Sequence, residues 1–154
     1  MPTPALIVRQ EGNNAHTHPF VSVYEAYKKS GPNVLGVEAL QGDDGCTGVK
    51  VNTADGYADY LFSATDMQAH HPSKRVSFCG GLGLIREKEG QIQLMYLGCG
   101  RSLKKGNFVL ESDHDVYAAI YMQHGVWYYS ATGPVRVKIG KETKELNEGY
   151  NQKL

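Results

Sequence analysis

The stretch that decides the fold is Val49-Lys50-Val51-Asn52-Thr53-Ala54-Asp55-Gly56-Tyr57-Ala58-Asp59-Tyr60-Leu61-Phe62-Ser63. Val49, Val51 and Thr53 alternate with Lys50 and Asn52, the period-two spacing that sends successive side chains to opposite faces of a strand. Ala54-Asp55-Gly56 is a turn signal. Beyond it Ala58, Tyr60 and Phe62 share one face, and Tyr57, Asp59 and Leu61 share the other. Two alternating runs joined by an Asp-Gly turn predict an antiparallel hairpin.

Working outward, the same grammar recurs. Residues 82–87 and 92–96 flank Lys88-Glu89-Gly90, residues 116–122 and 126–130 flank Gln123-His124-Gly125, and residues 135–139 and 141–146 meet at Gly140. Further strands are expected near 5–10, 20–27, 34–40, 75–79 and 107–111. The best helix candidate, 23–29, is only two turns long and is followed by Ser30-Gly31-Pro32. The expected fold is therefore all-β, an antiparallel β-sandwich of about a dozen short strands with little or no helix. An open barrel is the second choice. The domain reading is an N-terminal extension or first edge strand over 1–15, the sandwich over 16–146 and a flexible polar tail over 147–154.

Composition narrows the function. The 154 residues carry 16 Lys+Arg against 16 Asp+Glu, whereas nucleic-acid binding draws on clustered, unneutralised basic residues. No run approaches the roughly 18 apolar residues of a membrane span, and the N-terminus has no basic start of the kind a signal peptide shows. Neither nucleic acid nor membrane is expected as a partner. Three cysteines, Cys46, Cys79 and Cys99, allow one disulfide at most and form no Cys-x-x-Cys pair, so they read as small packed residues or inert thiols.

The candidate chemistry is sparse. His16-Thr17-His18 puts two imidazoles on one face of an extended strand, a spacing that suits a metal or a base with a charge neutraliser. A metal would need a third ligand, from His114 or Asp115. The preferred reading is two exposed histidines in an N-terminal loop, with His16 and His18 kept as the candidates for catalysis. No metal and no cofactor is expected. His70-His71-Pro72 reads as surface loop, and Ser112-Asp113-His114-Asp115 as a turn after a strand, since sequence neighbours rarely adopt triad geometry. Gly80-Gly81-Leu82-Gly83 and Gly98-Cys99-Gly100 lack a following helix to cradle phosphate and read as bulges or bends. Trp127-Tyr128-Tyr129 supplies aromatic faces with polar tips, the equipment of a sugar-contacting surface. The alternating faces of a strand send one of Trp127 and Tyr128 inward. Tyr24, Tyr27, Tyr57, Tyr60, Tyr96, Tyr117 and Tyr121 read as packing residues.

Several strings in order resemble the C-terminal β-sandwich of heparinase II/III-like polysaccharide lyases. Phe20-Val-Ser-Val-Tyr-Glu-Ala-Tyr27 is similar to a Val-Ser-Val-x-Glu-Pro-Tyr-like run, with Ala26 in place of the Pro. The hairpin over 49–63 resembles theirs. So does Gly83-Leu-Ile-Arg-Glu-Lys-Glu-Gly90 followed by Leu94-Met-Tyr-Leu-Gly-Cys-Gly-Arg-Ser-Leu103. The resemblance covers residues 16–140. It implies an accessory role: such lyases cleave uronic acids by β-elimination with a Tyr or His base and an Asn, His or Arg countering the carboxylate. Most of that apparatus lies on an upstream helical toroid and the first strands of the sheet domain. His16-Thr17-His18-Pro19-Phe20 lacks the Asp and Ser of the family's His-x-His motif, so no catalytic residue is carried over.

The expected function is a non-catalytic module with a structural or carbohydrate-contacting role. Its expected partners are an oligo- or polysaccharide and an upstream toroid. The family implies a secreted or periplasmic setting, although this chain shows no signal peptide. The alternatives are a small all-β carbohydrate-active lyase or isomerase using a His/Tyr site, and an interaction domain docking through a sheet edge.

Overall fold

A computed structural model describes residues 23, 25, 31–40, 45–72 and 76–154. His16 and His18, the strand expected over 5–10, most of that over 20–27 and most of the helix candidate at 23–29 lie outside the described residues. Among the described residues there are eleven strands and no helix. They are β1 (Val34–Leu40), β2 (Cys46–Thr53), β3 (Tyr57–Ala64), β4 (His71–Pro72), β5 (Ser77–Lys88), β6 (Gln91–Lys105), β7 (Phe108–Gln123), β8 (Val126–Ala131), β9 (Val135–Ile139), β10 (Glu142–Leu146) and β11 (Gly149–Lys153). Every pairing is antiparallel.

The hairpin over 49–63 forms as read, with Val51 opposite Asp59 and Asn52 opposite Ala58. Thr53 Oγ1 donates to Asp55 Oδ1 at 2.6 Å and accepts from the Tyr57 amide at 3.1 Å, so the turn residues hold their own backbone. The other three hairpins also form.

The strands make one hydrogen-bonded sheet folded over on itself. β5, β6 and β7 are 12, 15 and 16 residues long and run through both halves. The first layer joins β1, β2, β3, the C-terminal half of β5, the N-terminal half of β6, the C-terminal half of β7, β8 and β11. The second joins β4, the other halves of β5–β7, β9 and β10. The long strands change layer where the register slips, between Cys79 and Gly80 on β5 and around Gly100 on β6. Gly80 and Gly100 face each other there. A Cβ on Gly100 would lie 2.6 Å from the Cys79 carbonyl oxygen and from Gly80 Cα, so the crossing of the two backbones requires glycine.

The core fills the space between the layers. Tyr60, Ile85, Met95, Ile120 and Tyr129 are paired in succession across the first layer and all are buried. Phe78, Leu103, Leu110 and Val137 form the corresponding row of the second. Ring centroids of Phe62 and Phe78 meet across the gap at 6.0 Å, and those of Phe108 and Trp127 at 5.9 Å. Each fully buried aliphatic or aromatic side chain here contributes roughly 1.5–3 kcal/mol of hydrophobic stabilisation.

Four sequence expectations are corrected. The strands expected at 75–79 and 107–111 are not separate but the first halves of β5 and β7. Ser112-Asp113-His114-Asp115 is not a turn but lies within β7, where the strand leaves β9 and has not yet reached β8. His71 is buried beside Phe78 rather than in a surface loop, whereas His70 is exposed. The polar end over 147–154 is not a frayed tail: β11 pairs with β8, and the Leu154 amide donates to the Trp127 carbonyl at 2.9 Å.

Candidate carbohydrate-contacting groove

The outer face of the first layer carries the residues that alternate with the core. Next to the buried Met95–Ile120–Tyr129 row runs Tyr96–Ala119–Ser130, one residue along on β6, β7 and β8. Small residues at Ala119 and Ser130 leave a shallow floor. Tyr96, Tyr117 and Tyr150 rise around it and close an open groove of about 680 Å³, with Thr132 and Glu148 also lining it.

Each tyrosine is placed by a local device. Tyr96 lies over Gly98: a Cβ there would come within 3.1 Å of the ring Cε1 and 3.2 Å of the phenol oxygen. The missing side chain is what lets the ring lie along the sheet. Tyr117 is 54% exposed. Its amide donates to Thr132 Oγ1 and its carbonyl accepts from the Thr132 amide, both at 3.0 Å. Cys99 holds a φ of 48° inside the Gly98–Gly100 bulge, next to the groove. The charge that the Cys99 sulfur can carry, and then hydrogen bonding to it, push the Tyr117 phenol above its ordinary pKa. A phenol in this position can donate a hydrogen bond to a hydroxyl-bearing ligand. Tyr150 is 83% exposed on β11. The neighbouring Asn151 amide donates to Ser130 Oγ at 2.9 Å, and Tyr121 donates its phenol proton to Asn151 Oδ1 at 2.6 Å.

The expected sugar-contacting block does not form one surface. Trp127 and Tyr129 face inward. Trp127 is half-buried against Phe108 and bounds a smaller pocket of about 260 Å³ with Val137, Ile139 and Leu154. Tyr129 is buried, with its phenol oxygen against Gly149. Only Tyr128 reaches the outer face, stacked on Tyr121 with centroids 6.0 Å apart and planes at 18°. The groove tyrosines Tyr96 and Tyr117 had read as packing residues, and Tyr150 lay in the supposed tail. A signal was present: Tyr117, Ala119 and Tyr121 alternate with the apolar run Val116, Ala118 and Ile120.

The second layer's outer face holds a polar cleft of about 580 Å³. Its cations are taken by carboxylates: Arg101 meets Asp115 at 3.0 Å, Lys104 meets Glu111 at 2.7 Å, and Arg136 meets Glu111 at 3.0 Å and Glu145 at 2.5 Å. Lys104 and then Arg136 hold the Glu111 carboxyl below the usual range, against the opposing effect of its burial. Ser112 Oγ donates to the Pro134 carbonyl at 2.8 Å and accepts from the His114 amide, so it is engaged with backbone rather than with an imidazole. Among the described residues no group of three His, Cys, Asp or Glu side chains could hold a metal ion. Cys79 and Cys99 are free thiols.

Residues 34–122 match the family described as the endo-acting ulvan lyase C-terminal domain. The chain belongs to this family. The matched span runs from β1 to the end of β7, so it includes Tyr96 and Tyr117, while Tyr150 lies beyond it. An endo-acting ulvan lyase of Formosa agariphila is 34% identical over 118 residues, which are 73% of this chain and 14% of that protein. The chain thus spans a small part of the length of the relative it matches. No solved structure matches. The resemblance read from the sequence holds at the level of a polysaccharide lyase C-terminal domain, and the family found is that of ulvan lyases.

Proposed function

We propose that this domain is a non-catalytic accessory module that holds polysaccharide for a lyase through the Tyr96–Tyr117–Tyr150 groove. The observation that carries the reading is the groove itself: three phenol rings around a floor of small residues. Aromatic faces pack on the C–H faces of pyranose rings while the phenol tips exchange hydrogen bonds with sugar hydroxyls. Family membership supplies the setting, and the relative's name makes ulvan the first polymer to test. The strings that resemble those of heparinase II/III-like lyases support reading the chain as a module of similar design. In that design the bond-breaking groups sit on a helical toroid and the first strands of the sheet domain, and that toroid is the proposed partner.

The test is affinity electrophoresis and isothermal titration of the domain with ulvan. A Tyr117→Ala, Tyr150→Ala double variant is expected to bind at least tenfold more weakly with an unchanged melting temperature, because both rings are largely outside the core. Equal binding by the variant and the parent, or no binding by the parent, overturns the reading.

A further inference from the structure

The groove differs in charge from what a site for acidic sugars needs. Recognition of a carboxylate or sulfate uses Arg or Lys, whose charge-assisted hydrogen bonds offset the cost of stripping water from the anion. The groove has no Lys or Arg among its described lining residues, and its one charged member is Glu148. Its walls are phenol rings, whose faces carry negative potential and repel anions. The cations of the polar cleft are on the other layer and already paired with Asp115, Glu111 and Glu145.

Resting on the carbohydrate-contacting reading above, we infer that the groove takes uncharged sugar units, with Glu148 turning acidic ones away. On an anionic polymer it occupies the uncharged positions of the chain. A lyase that works by β-elimination must neutralise a uronate carboxylate at its reaction centre. A module that grips uncharged units leaves the acidic ones free for that centre, so anchoring and cleavage do not compete for the same residues of the polymer. Binding that rests on stacking and neutral hydrogen bonds is also independent of salt, whereas ion-pair binding weakens as screening rises.

The experiment compares native ulvan with ulvan stripped of its anionic charge, its carboxyl groups reduced to alcohols and any sulfate esters removed, titrated into the domain at 20 and 300 mM NaCl. The uncharged polymer is expected to bind at least as tightly as the native one. Its dissociation constant is expected to change less than twofold between the two salt concentrations. Glu148→Gln is expected to tighten native ulvan several-fold and leave the uncharged polymer unchanged. A tenfold loss on removal of the charges, or an affinity for native ulvan that falls steeply with salt while still depending on Tyr117 and Tyr150, overturns the inference and keeps the carbohydrate-contacting reading. Absence of binding to both polymers, or indifference to the tyrosine substitutions, overturns the reading itself.

Discussion

Single residues decide where this sheet can fold over. Gly100 is in contact on three sides, with the Cys79 carbonyl oxygen, Gly80 Cα and Leu97 Cδ1 all within 2.7 Å of where a Cβ would stand. Two of those atoms are backbone and cannot move aside cheaply. Gly100→Ala is therefore expected to destabilise the domain by about 2–3 kcal/mol, read as a lower urea midpoint. Gly36→Ala, at a β1 position with nothing within 4 Å, is expected to shift stability by no more than about 0.5 kcal/mol. Glu111 gives the pH dependence. Its folded carboxyl is depressed by Lys104 and Arg136, so its stabilisation is complete above the ordinary carboxylate range and is lost as the pH falls through the folded value. The melting temperature is expected to drop below about pH 4. Glu111→Gln should flatten that acid limb and lower stability at pH 7 by no more than about 1 kcal/mol, because Glu111 and its two partners are partly solvated.

At the scale of elements, the long strands are where the chain departs from its local pattern. Gly80-Gly81 and 112–115 interrupt the apolar alternation and so mimic strand ends. β5 and β7 nonetheless continue, because the bulge and the polar crossing let each strand pair with one neighbour before it and another after it. The two layers are also tied near the 88–91 hairpin by an ion pair. Lys105 at the end of β6 reaches Glu87 on β5 at 2.8 Å, both side chains are 13% exposed, and the ammonium stands 3.3 Å from the Tyr60 ring centroid. Removing one charge from such a pair leaves the other buried. Lys105→Met is expected to cost about 3 kcal/mol. Adding Glu87→Leu is expected to recover most of that loss in the same denaturation assay. Equal stability of the single and double variants would show that the packing of the Lys105 stem, rather than its charge, is what matters.

Among the described residues, the two layers present outer faces of different character. The second layer's face is a lattice of paired charges around Glu111 and Arg136, and the first layer's face is aromatic, with Arg86 clamped on Asp59 at 2.7 Å and stacked over Tyr57. The equality of 16 basic and 16 acidic residues thus reflects, on these faces, local pairing rather than dispersed charges of both signs. A module so balanced has little long-range field to steer it to a polyanion, which agrees with contact by ring faces. The carbohydrate titrations are the measurements that belong to this scale.

The amino-acid sequence by itself determined the all-β antiparallel class, the four hairpins and the kinship with polysaccharide lyase C-terminal domains. Period-two alternation and Asp-Gly, Glu-Gly and His-Gly turns are local signals, and local signals survive without knowledge of the neighbours. Only the tertiary structure decided which aromatics form a surface. Alternation divides Trp127 and Tyr129 from Tyr128, but it does not say which face meets the other layer. The packing of Trp127 on Phe108, a residue of the opposite layer, settles that. Tyr96, Tyr117 and Tyr150 come from β6, β7 and β11, brought together by strand order and by a β8–β11 pairing that the polar composition of 147–154 concealed. Backbone hydrogen bonds carry such a pairing whatever the side chains are, so an edge strand of Tyr, Asn, Gln and Lys leaves no hydrophobic pattern in the sequence.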